Sequence, residues 1–303
     1  MRHWILMFLF SPVLGSAQND LHVQFIARDN YMMPEEAPPE HTFMGTVVLR
    51  DEPSHESRKV AALYPGTSVY IDSVSTDTVV ANGVRSVWYR VEANKQFGWV
   101  WGGLLAQDAT GSYADPTVKF LGGLEYVTTW SDTTTVRYKY RLVAVRDGQQ
   151  LDAITLPSFA WNFGQLSALG NRGLRNVDDV LFLDVPCVGG CGCATGSIVV
   201  FWSGGRFHHV ADMKGSPDGA YSTNQHLVFP SDMEGLPGII KRVTSSYDES
   251  EQTGGELLGN DGEEQPQEFV RRFVTTEFLR WDGAQLVPNG QAKEERSYLL
   301  PTD

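Results

Sequence analysis

Apolar positions along the 303-residue chain recur at every second residue far more often than at every third and fourth. In residues 86–101, SVWYRVEANKQFGWVW, Val87, Tyr89 and Val91 alternate with Trp88 and Arg90. After the polar turn EANKQ, Phe97, Trp99 and Trp101 alternate with Gly98 and Val100. A period of two places each set on its own face of a strand. A small barrel lines its interior with only one face of each strand, so some of these aromatics lie at or near the surface. Short alternating runs bounded by Gly, Asn, Asp and Pro continue along the chain, and no long stretch carries helical spacing with caps. The pattern predicts an all-β protein.

Three stretches share one form, a run of strand formers, a glycine turn and a second run: RYKYRLVAVRDGQQLDAI, SIVVFWSGGRFHHV and TTEFLRWDGAQLVP. Asp-Gly and Gly-Gly tolerate the positive φ of tight hairpin turns, which predicts three hairpins at Asp147-Gly148, Gly204-Gly205 and Asp282-Gly283. Their uneven spacing argues against a regular repeat array.

Composition divides the chain. Residues 18–42 carry MMPEEAPPE at 32–40 and read as a linker. A strand-rich block follows at 43–107, then the turn-forming boundary DATGSYADP, then a second block at 113–303. Within it, residues 247–268 are dense in acids, Gly and Gln, and are expected to be a mobile acidic loop. An EF-hand calcium loop does not fit, because the acids do not alternate before a glycine.

The first residues, MRHWILMFLFSPVLGSAQ, join a short basic start to an apolar run and then to the small residues Gly15, Ser16 and Ala17. This predicts a signal peptide at 1–17 and an exported protein, periplasmic or extracellular. The run is too short to span a bilayer, so no membrane insertion is expected. Loss of Arg2 would take the formal charge from −13 to −14. So acidic a chain is a poor partner for nucleic acid or anionic membrane, since such binding needs a basic surface.

Between Thr46 and Leu105 an ordered set of motifs stands out: Arg50 with Pro53-Ser54, Pro65-Gly66-Thr67, WYRV at 88–91 and GWV at 98–100. In this order they resemble the bacterial SH3-like domain of exported and cell-wall proteins. The resemblance implies a small barrel at 43–107 that binds cell-wall peptides or envelope proteins and carries no catalytic residue. Trp99 falls in the family's Gly-Trp-Val signature. At Trp101 this chain departs from the family, which more often has a small or polar residue there. Two roles are open for Trp101, filling a joint with the neighbouring domain or forming a platform for a ligand. The candidate binding groove is walled by Trp88, Tyr89 and Trp101.

All three cysteines, Cys187, Cys191 and Cys193, lie in DVPCVGGCGCATGS. In an exported chain they are disulfide candidates, Cys187 bridging Cys191 or Cys193, with connectivity open. A zinc site with His208 or His209 fits poorly, because neighbouring strand residues face opposite ways. In the cell-wall cysteine peptidases that often accompany domains of the resembled family the nucleophile starts a helix, whereas Cys193 leads into a strand-like run. Asp178, Asp179 and Asp184 lack alternating ligand spacing and read as solvent-facing turn acids. No catalytic, metal-binding or cofactor residue is therefore assigned.

The sequence thus predicts an SH3-like barrel followed by a larger antiparallel β domain, a sandwich or an irregular propeller-like form. The expected function is recognition of a cell-envelope component, a cell-wall peptide or an envelope protein. A secreted cell-wall hydrolase with a cysteine nucleophile and a structural envelope protein are the alternatives.

Overall fold

The computed structural model describes residues 24–26, 39–129, 136–158, 164–186, 195–218, 221–258 and 264–301. Among them are strands, turns and one 3-10 turn at Gly102–Leu104, and no α-helix. The all-β prediction holds. No helix of the described residues is long and apolar enough to cross a membrane.

The N-terminal sheet consists of β1 (Gln24–Ile26), β2 (Glu40–His41), β3 (Val47–Arg50), β4 (Lys59–Leu63), β5 (Ser68–Ala81), β6 (Val84–Ala93) and β7 (Gln96–Trp101). β5, β6 and β7 form an antiparallel meander, and the sheet curls until Arg50 of β3 pairs with Trp99 of β7. Glycine permits that closure: a Cβ on Gly98 would lie 2.6 Å from the Arg50 carbonyl oxygen and from Leu49. Leu49, Val69, Tyr89, Val91 and Val100 point inward and form the barrel core. The Tyr89 face is therefore the interior one, and the Trp88 and Trp101 face is the outside.

A second sheet follows in the order β11-β10-β9-β8, with β8 at Asp108–Gly111, β9 at Val118–Thr129, β10 at Val136–Arg146 and β11 at Gln149–Ser158. Its central strands are apolar on both faces, as the run RLVAV demands. Leu121 and Val143 pack with Phe43 and Ala106 of the barrel side. Phe120, Leu142 and Ala144 pack the other way, on Leu181, Leu183, Ile198 and Val200.

Those last four residues belong to the third sheet: β12 (Leu166–Ala168), β13 (Asp179–Val185), β14 (Thr195–Ser203), β15 (Arg206–Asp218), β16 (Tyr221–Val228), β17 (Ile240–Leu258), β18 (Glu264–Trp281), β19 (Leu286–Pro288) and β20 (Glu294–Pro301). Its far half turns back over its own near half, so that Val199 and Phe201 meet Phe229, Ile240 and Leu279. Face-to-face sheets make the sandwich the form this part takes. The predicted turns at Asp147-Gly148 and Gly204-Gly205 have positive φ at both residues, and Asp282-Gly283 joins β18 to β19.

Three segments differ from their sequence reading. The expected linker 18–42 contributes β1, paired in parallel with β6, and β2, paired with β5. The boundary stretch DATGSYADP contains β8, which pairs with β9. Residues 248–258 and 264–268, expected as loop, are the outer part of the β17–β18 hairpin, with Thr253 opposite Phe269 and Leu258 opposite Glu264. A backbone ladder satisfies its own amides and carbonyls, so pairing begun at Ile240 and Leu279 continues outward along both strands.

Candidate functional site

The expected groove of Trp88, Tyr89 and Trp101 is not an open surface. Trp88 and Tyr89 are each 2% exposed and Trp101 is 5% exposed. Tyr89 fills the barrel interior. Trp88 and Trp101 stand opposite one another on the outer face, and Leu124 and Val127 of β9 cover them. His55, in the loop between β3 and β4, adds an edge contact 4.8 Å from the Trp88 ring centroid. The Trp101 indole N–H donates to the carbonyls of Val79 at 3.2 Å and Ser86 at 3.3 Å. Gly103 lies against the Trp101 ring, where an added Cβ would come within 2.3 Å. Trp101 therefore fills the joint between the barrel and the next sheet, which removes it as a ligand platform.

The same outer face emerges from cover a few residues away. Along β7 burial falls from Trp101 through half-buried Trp99 to Phe97, which is 50% exposed. Phe97 pairs with Glu92 of β6, and Glu92 pairs with Tyr70 of β5, which is 52% exposed. Arg90, two residues before Glu92 on β6, has its guanidinium 5.4 Å from the Phe97 ring centroid and 2.7 Å from the Asp72 carboxylate. Asp72 reaches Arg90 from a break in the β5–β6 register between Ile71 and Ser73. The result is an open face of Tyr70, Phe97 and half of Trp99 around an ion pair. Such a face can take a ligand by ring contacts while its charged groups read polar atoms.

Residues 45–106 match the family model of the bacterial SH3 domain. The match spans the barrel strands from β3 to β7 and the Gly-Gly turn. Bacterial SH3 domains are binding modules, often associated with cell walls. Comparison with curated proteins and with solved structures gives no match. The SH3 barrel thus has an outer face divided in two, one end sealed by its neighbour and one end open.

Sequence alternation places Phe97 on the Trp101 face, whereas Phe97, Tyr70 and Arg90 are not among the residues expected to wall the groove. The signal was positional: Trp101 adjoins the connection to the next sheet, and Phe97 lies at the far end of the same strand.

Cys187, Cys191 and Cys193 lie outside the described residues. His208 packs edge-on against Trp281 at 5.3 Å, whereas the His209 Nε2 lies 2.7 Å from Asp212. The two histidines diverge, as the strand pattern predicted. The acids differ from expectation in one case. Asp178 accepts from the Gly204 N–H and Asp184 from the Ser197 hydroxyl, but Asp179 is fully buried. It accepts hydrogen bonds from the Ser112 hydroxyl at 2.5 Å and the Tyr113 N–H at 3.0 Å, tying the end of β8 to β13. Among the described residues no cluster of three His, Cys, Asp or Glu could hold a metal ion.

Proposed function

We propose that this chain is an exported binding protein whose SH3 barrel recognises a cell-envelope component through its open outer face. The observation that carries the reading is the exposure of Phe97 and Tyr70 across one strand from each other on a barrel of a binding family. Two exposed rings flanking one strand offer apolar area in one place, and aromatics concentrate where apolar contact must also recognise. An extended cell-wall peptide would be held there through ring contacts and backbone hydrogen bonds. The joint at Trp88 and Trp101 holds the barrel to the second sheet, so the larger β part travels with the bound barrel.

Two experiments test this. Fractionation of cells expressing the chain with and without residues 1–17 should place only the first outside the inner membrane. Co-sedimentation of the chain from Gln18 onward with purified cell-wall sacculi should be saturable and should be competed by soluble wall peptides. Retention of the full chain inside the cell would overturn export, and absence of sedimentation would overturn the wall as the component.

A further inference from the structure

Three connections meet at one end of the third sheet: residues 169–178 before β13, residues 229–239 before β17, and the turn from β18 into β19. They enclose a cleft of about 540 Å³ lined by Arg175, Arg280, Trp281 and Asp282, with Gly173 and Gly283 in its walls. That size is in the range of small-molecule sites, and loops held at one end of a β scaffold are where such sites form.

The walls are fixed without a ligand. Arg172 pairs with Asp232 and lies 5.8 Å from the Phe229 ring centroid. The Ser231 N–H donates to the Arg172 carbonyl at 3.2 Å, joining the first two loops. Gly173 has φ +79°, and a Cβ there would lie 3.0 Å from the Ser231 nitrogen, so the close approach depends on glycine. In the third loop the Asp282 carboxylate accepts from the N–H groups of Gln285 at 2.9 Å and Ala284 at 2.8 Å. Those turn bonds, with Arg280 nearby, hold its carboxyl below the usual carboxylate range. One Asp282 oxygen is thus committed to the turn.

The lining carries two arginines against one acid. Among the described residues neither Arg175 nor Arg280 lies within ion-pair distance of a carboxylate, although the Arg280 charge helps lower the pKa of the Asp282 carboxyl, and both arginines are exposed residues of the cleft lining. The chain has 37 acidic against 24 basic residues, so cations usually have carboxylates to spare nearby. Each guanidinium presents a planar fork of donors that matches a carboxylate, and two of them belong to this lining. Trp281 offers apolar surface beside them, which a bare inorganic ion would not use.

We propose that this cleft binds a small organic carboxylate, Arg175 and Arg280 holding the charged group and Trp281 flanking the carbon skeleton. The site is separate from the SH3 barrel and stands independently of the function proposed for it. A carboxylate of this size could be a peptide C-terminus or an acidic sugar.

Isothermal titration of the chain from Gln18 onward would use N-acetyl-alanyl-alanine, its C-terminal amide, glucuronate and inorganic phosphate at low salt. The expected result is saturable 1:1 binding of the dipeptide acid or of glucuronate, which assigns the source, and no binding of the amide. Arg175→Gln and Arg280→Gln should each weaken that binding by about tenfold or more. No saturable binding of either carboxylate, phosphate binding of equal strength, or unchanged affinity in the double Arg→Gln variant with a wild-type unfolding midpoint would overturn the proposal.

Discussion

Trp88 and Trp101 face each other across β6 and β7 on the outside of the barrel, and both are sealed beneath Leu124 and Val127 of the next sheet. An aromatic pair in that position joins two parts of the chain. The binding function then falls to the uncovered end of the same face.

Trp101→Ala removes a ring that is 5% exposed together with two hydrogen bonds to carbonyls. Loss of so large a buried side chain costs about 3–5 kcal/mol. Urea unfolding should show the midpoint falling by a corresponding amount. Trp101→Phe should recover part of it through packing alone.

Gly103→Ala tests why two glycines follow Trp101. Its Cβ would come within 2.3 Å of the Trp101 ring, which is held by Trp88 and β9 and has little room to move. Overpacking of this kind costs about 1–3 kcal/mol. A thermal midpoint equal to wild type would show that the ring shifts freely, contrary to the joint described here.

Much of the barrel was legible in the sequence, because β6 and β7 are a hairpin whose alternation is local. Alternation separates Tyr89 from Trp88 and puts Phe97, Trp99 and Trp101 together. It is silent on which end of that face is covered, since the covering residues Leu124 and Val127 lie on β9, more than twenty positions further along. Asp179 was misread for the same reason: its partners Ser112 and Tyr113 are over sixty residues away. The acidic stretch after Tyr247 differs for another reason, since side-chain composition does not report the backbone pairing of β17 with β18 that runs through it.

Asp179→Ala leaves the buried Ser112 hydroxyl and the Tyr113 N–H without their acceptor. A loss of about 2–4 kcal/mol is expected from stranded polar groups. Asp179→Asn keeps one acceptor oxygen and should lose less. Chemical denaturation of both variants orders them, and equal stability to wild type in the alanine variant would contradict the tie between β8 and β13.

His41 gives a pH dependence with a defined sign. Burial, and then the Lys119 ammonium 3.1 Å away, lower its pKa from 6.5 to about 4. The unfolded chain therefore takes up a proton on this side chain before the folded one does. Stability from this residue is full above pH 6.5 and is lost as pH falls towards 4. His41→Gln should flatten that part of the profile, read as the difference in thermal midpoint between variant and wild type across pH 4–7. An identical slope in the two proteins would contradict the assignment.

The most direct test of the account is sacculus co-sedimentation of the chain from Gln18 onward beside a Tyr70→Ala, Phe97→Ala double variant. Both rings are half exposed, so truncation should leave the unfolding midpoint within about 0.5 kcal/mol of wild type per site. The account predicts that the wild-type chain sediments saturably and that the double variant loses at least about 2 kcal/mol of binding, the scale of aromatic anchors. Equal sedimentation of the two would contradict it, because the open end of the outer face would then not be where the envelope component is held.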